Sequence, residues 1–77
     1  MSTKNKELPK WYDGGKYTEG DIVTNPFSGE TYKLTANELA MYDLIMGSQV
    51  TGHYDLTAKG LNWFRTANPE AYKILLD

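Results

Sequence analysis

The chain has 77 residues, of which 40% are hydrophobic and 23% charged, and it carries a formal charge of −2 with a pI near 5.2. That length admits one domain with a single core, the composition excludes a disordered or collagen-like chain, and the mild acidity supplies no overall field to draw the protein onto phosphate backbones or anionic lipid. With no cysteine, disulfide staples, thiolate zinc sites and cysteine nucleophiles are excluded together, so core filling falls to six tyrosines, two tryptophans and two phenylalanines, each able to remove about 150 to 250 Å² from water.

Residues 1–10 read as a flexible polar tail that leaves through Leu8-Pro9-Lys10 in an extended conformation. Met1 to Glu7 has no hydrophobic signal-peptide region, and no apolar run approaches the roughly 18 to 20 residues of a membrane span. The expectation is a cytoplasmic protein with no membrane partner. The single small domain is expected over residues 11–77. It opens with an irregular piece in which Trp11 and Tyr17 flank the turn Asp13-Gly14-Gly15.

A β-hairpin is predicted over about 21–34. Asp21-Ile22-Val23-Thr24 and Glu30-Thr31-Tyr32-Lys33-Leu34 are rich in β-branched and aromatic residues, and Asn25-Pro26-Phe27-Ser28-Gly29 between them carries turn chemistry, with Gly29 suited to a positive φ. Alternation puts Thr31 and Lys33 on one face and Tyr32 and Leu34 on the other, toward the helices.

Three helices should follow, over about 36–47, 55–67 and 69–76. The first begins at a capping box, in which Thr35 caps the Glu38 amide and Glu38 reaches back to the Thr35 amide, while Leu34 clasps Leu39. It is apolar nearly all round, with only Asp43 interrupting Leu39 to Met46. Two outcomes are open. Either the hairpin and later helices cover it on both sides, or some of Met41, Leu44, Ile45 and Met46 face a second protein.

Gly47 to Tyr54 is a weak stretch in which the first helix is expected to stop or fray, and Asp55 is then read as the cap of the second. Leu56, Gly60, Trp63, Phe64 and Ala67 share one face of that helix and form the best core candidate, with Gly60 allowing close approach of a neighbour. Asn68-Pro69-Glu70 starts the third helix with a cap, a proline at the first helical position and an acid at the positive helix end.

The residues that could carry chemistry do not assemble into a reactive pattern. His53 is the only histidine, without partners for a nitrogen-rich metal site, and is read as exposed or capping. Ser28 lacks the setting of a nucleophile elbow and is read as a turn residue. Asp13, Glu19, Asp21 and Glu30 could gather near the hairpin as paired carboxylates, but their spacing matches no calcium loop and charge on turns is ordinarily solvation. No glycine-lysine phosphate loop is present. The reading is therefore no enzyme: no catalytic residue, no cofactor, no metal and no small-molecule substrate.

The segments Gly20-Asp21-Ile22-Val23-Thr24-Asn25-Pro26-Phe27-Ser28-Gly29-Glu30, Leu34 to Gly47 and Gly60-Leu61-Asn62-Trp63-Phe64-Arg65 to Leu76 resemble small uncharacterised proteins of marine tailed phages of the cyanophage type, over roughly residues 17–77. That group carries no assigned activity. The resemblance implies a phage accessory protein acting in the host cell cytoplasm, or a minor virion component.

The expected fold is α+β and mainly helical, an N-terminal β-hairpin followed by three short helices around Trp63 and Phe64. The expected function is a non-enzymatic protein-protein interaction module, with a protein partner or self-association into a homo-oligomer, and Met41, Leu44, Ile45 and Met46 as the partner-binding residues. A small helix-turn-helix-like nucleic-acid regulator is the alternative. It would need a basic surface built from Lys10, Lys16, Lys33, Lys59, Arg65 and Lys73.

Overall fold

The computed structural model describes residues 6–77 and shows a two-stranded antiparallel hairpin followed by three helices, in the order β1 (Asp21–Thr24), β2 (Thr31–Leu34), α1 (Ala36–Thr51), α2 (Tyr54–Ala67) and α3 (Pro69–Leu75). The expected α+β architecture is the one observed.

In the hairpin Asp21 pairs with Leu34, Ile22 with Lys33, Val23 with Tyr32 and Thr24 with Thr31. Leu34 is buried and Val23 and Tyr32 half-buried on the inner face, whereas Ile22, Thr24, Thr31 and Lys33 on the outer face are exposed. The turn is held by its own polar groups. The Asn25 side chain accepts from the amides of Phe27 (2.8 Å) and Ser28 (3.3 Å), Ser28 Oγ accepts from the Glu30 amide, and Gly29 closes the loop at φ 80°. Asn25 Nδ2 also donates to the carbonyl of Ile74 at 2.9 Å, so the far end of a marginally stable ribbon is fastened to the end of α3.

Helix α1 begins as its capping box dictates, with both reciprocal bonds present. It runs past the expected stop at residue 47 to Thr51. Gly47 costs about 1 kcal/mol against alanine in a helix interior, but the extra turn buries Ser48, whose Oγ donates to the Ile45 carbonyl at 2.8 Å and shares a hydrogen bond with Thr57 of α2. Packing overrides propensity here. The helix ends at Gly52, in the left-handed region at φ 80°, whose amide donates back to the Ser48 carbonyl.

Helix α2 is capped by the backbone of His53, which makes no side-chain cap bond, and Asp55 stands inside the first turn where it was expected to be the cap. Its carboxylate still complements the helix dipole from that position. Gly60 faces α1 so closely that a Cβ there would lie 2.6 Å from Ile45 Cγ1. At the start of α3 the Asn68 side chain accepts from the Ala71 amide (3.1 Å) ahead of Pro69, and the helix ends at Leu75, one residue earlier than expected.

Leu34, Met41, Ile45 and Phe64 form the centre of the core, with Ala40, Ala71, Leu75, Trp63 and Tyr12 around them. Trp63 meets Phe64 edge-to-face, with ring centroids 6.4 Å apart. Glu38 is also fully buried: one carboxylate oxygen accepts from the Thr35 amide (2.9 Å) and the other from Asn68 Nδ2 (3.1 Å). A single carboxylate thus joins the first turn of α1 to the cap of α3, and no buried side-chain polar atom among the described residues lacks a partner.

Residues 6–10, expected to belong to a flexible tail, lie against the helices. Asn37 Nδ2 donates to the Lys6 carbonyl (2.9 Å), Trp63 Nε1 donates to the Glu7 carbonyl (3.2 Å), and Leu8 packs on the core. The rest of that expected tail, residues 1–5, falls outside the described residues. The Tyr12 hydroxyl reaches the carbonyls of Gly15 and Ala40, and the exposed Tyr17 donates to the Asp43 carboxylate.

Candidate docking surface

Met41 and Ile45 are 0% exposed, which removes them from the expected partner-binding set. They stand one turn apart on the inner side of α1, where Ile45 and the Met41 sulfur meet the space left by Gly60. Leu44 and Met46 are half-buried and pack on the edge of the core. The expected patch is therefore split by the helix surface: two members are core, and two reach its border.

The apolar surface that remains is centred elsewhere. Phe27 is 97% exposed at the tip of the hairpin, beside a groove of about 250 Å³ lined by Asn25, Pro26 and Phe27, by Tyr42, Met46 and Gln49 of α1, and by the chain end at Leu75, Leu76 and Asp77. Tyr42, Met46 and Val50 follow one another at intervals of four along one side of α1. Val50, 88% exposed, carries that apolar line beyond the groove.

Local chemistry fixes the presentation of Phe27. The Asn25 turn sets the backbone at residues 25–29, and the Asn25–Ile74 bond holds that turn over α3. Tyr42, whose phenol is pushed above its ordinary value by burial and by the neighbouring Asp43 charge, remains neutral at physiological pH and acts as an apolar wall with a polar tip. Among the described residues Asp77 is the one charged residue lining the groove.

The other candidates from the sequence stay apart. His53, Asp13, Glu19, Asp21, Glu30 and Ser28 are all exposed, and among the described residues no three His, Asp or Glu side chains gather as a metal site. Lys10, Lys16, Lys33, Lys59, Arg65 and Lys73 are exposed and distributed over the N-terminal segment, β2, α2 and α3. Among the described residues no helix is long and apolar enough to cross a membrane.

Phe27, Tyr42 and Val50 are not among the partner-binding residues expected from the sequence. Phe27 carried a signal, since a large aromatic inside a turn has no strand or helix face through which to reach the core. Tyr42 and Val50 were obscured because α1 is apolar all round, so the four-residue interval did not stand out. Comparison with protein-family models, curated proteins and solved structures finds no match to the chain.

Proposed function

We propose that the protein is a non-enzymatic protein-protein interaction module whose docking face is the hairpin tip together with the outer side of α1. The observation that carries this reading is Phe27, an almost fully exposed phenylalanine held by a structured turn beside an apolar groove. A large aromatic left in water forgoes about 1.5 to 3 kcal/mol of burial. Rigid aromatic anchors next to pockets are also where binding energy concentrates in protein interfaces. Phe27 enters the partner, and the groove between Pro26, Tyr42, Met46 and Leu76 receives an apolar side chain in return. Met46 lends the groove an adaptable wall. On the resemblance to phage proteins, the partner belongs to the infected host cell or to the virion, or is a second copy of the chain.

Affinity capture from the producing cell, paired with light scattering over a range of concentrations, tests this reading. Wild-type protein retains a partner or self-associates, and Phe27→Ser abolishes both without altering the circular dichroism spectrum. A wild type that is monomeric and captures nothing that Phe27→Ser fails to capture would remove the proposal.

A further inference from the structure

A second groove, sharing no residue with the first, lies across the outer side of α2. It is open, about 460 Å³ in volume, and lined by Trp11, Lys59, Asn62, Trp63 and Thr66. Lys59, Asn62, Trp63 and Thr66 recur at intervals of three, one and three and so share a helix face. Each indole has an ammonium over it: Lys59 Nζ stands 5.8 Å from the Trp11 ring centroid and Lys6 Nζ 5.9 Å from that of Trp63. Lys6 Nζ is also 3.4 Å from Thr66 Oγ1. Arg65 adds a third cation at the border, its guanidinium donating to Asn62 Oδ1. Among the described residues no carboxylate lines the groove; the acids at its border are Glu7, whose carbonyl accepts from Trp63 Nε1, and Asp55, one turn before Lys59. In a chain of net charge −2, this surface is locally positive and aromatic.

We propose that this groove binds single-stranded nucleic acid. A lysine over the half-buried Trp11 indole is a weak pair that a better ligand can rearrange. A base covers the ring face more fully than an ammonium does, and the displaced ammonium is then free to meet the phosphate that accompanies the base. Trp11 with Lys59 therefore forms the stacking half-site, and Lys6, over the buried Trp63, supplies a second ammonium for the next phosphate. Trp11 is half-buried and offers the larger stacking surface, whereas Trp63 is held in place by its bond to the Glu7 carbonyl and forms part of the floor. Flat rings flanked by cations suit unpaired bases, whose faces are free, and not duplex DNA, whose base faces are stacked inside. This is a different mode from a recognition helix in a major groove, for which the basic side chains of α2 are too few.

The test is a titration of the intact protein into fluorescein-labelled oligothymidylate, followed by anisotropy and by quenching of indole fluorescence. The expected result is micromolar binding with quenching, and a dependence of log affinity on log salt with a slope of about −1.4 for two phosphates at about −0.7 each. Trp11→Ala and the surface variant Lys59→Glu each weaken binding about tenfold or more, and urea denaturation of both variants establishes that they fold. Thymidine monophosphate, duplex DNA of equal length and polyglutamate all bind at least tenfold more weakly. The proposal is overturned by absence of binding to millimolar concentration or by unchanged affinity in folded Lys59→Glu. Equal binding of polyglutamate would make the face a site for acidic protein. Equal binding of the duplex or the mononucleotide would likewise exclude a single-strand site. Phe27→Ser leaves this binding intact, which separates it from the docking face at the hairpin tip.

Discussion

The two ends of α1 are built on opposite terms. At its start, Thr35, Glu38 and Asn68 form a buried polar joint in which the carboxylate has a partner at each oxygen and ties α1 to α3. Toward its end, Met46 lines the groove beside the exposed Phe27, Val50 beyond it is itself exposed, and apolar surface is left in water. The first end spends polar groups on fixing the fold, and the second leaves hydrophobic groups unspent. In a domain with one small core the division is informative, because surface that stability does not use is available for recognition.

The same division separates the two sides of α1, and the largest expected effect lies on its inner side. Ile45→Glu places an unpaired charge in the centre of the core against Gly60 and should unfold the domain, a loss of at least about 4 kcal/mol, visible as loss of the cooperative thermal transition. Next comes the polar joint. Glu38→Ala strands the Thr35 amide and the Asn68 side-chain amide in a buried site and should cost about 2 to 4 kcal/mol in urea denaturation, with Glu38→Gln recovering part of it. A near-wild-type midpoint for Glu38→Ala would mean that the joint is not what holds α1 to α3.

A smaller effect is expected at Tyr12. Burial, reinforced by the charges of Asp43 and Asp13, pushes its phenol above the ordinary value of 10.0. A phenol whose folded value is raised contributes stability that is fully present below the unfolded value of about 10 and is lost as pH rises through the folded one. The midpoint of wild type should therefore fall as pH rises above about 10, and Tyr12→Phe should flatten that fall. At neutral pH the same variant should lose about 1 kcal/mol with the hydrogen bonds to Ala40 and Gly15. Equal alkaline slopes in both proteins would assign the loss to other groups.

Most of the scaffold was legible in the sequence because its signals are local. The capping box at Thr35, the Asn25 to Gly29 turn, the alternation of Tyr32 and Leu34, and the Asn68-Pro69 start are each decided within a few residues, and each is found in place. The continuation of α1 through Gly47 was not legible, because it depends on Ser48 meeting Thr57 of a later helix. The role of Glu38 was half legible: the sequence gives its bond to Thr35, and only the fold brings Asn68 to its second oxygen. The residues of the proposed docking face were the least legible. On a helix apolar all round, periodicity does not distinguish Ile45 from Met46, and packing alone turns one inward and the other outward.

That pair supplies the most direct measurement. Ile45→Glu and Met46→Glu make the same change at adjacent positions, and each variant can be followed by thermal unfolding and by capture of the partner. Ile45→Glu is expected to lose the folded state, while Met46→Glu stays folded at a cost of about 1 kcal/mol and loses the partner. Unfolding of both variants would make the outer side of α1 part of the core, and an undiminished partner interaction in folded Met46→Glu would mean that this side docks nothing.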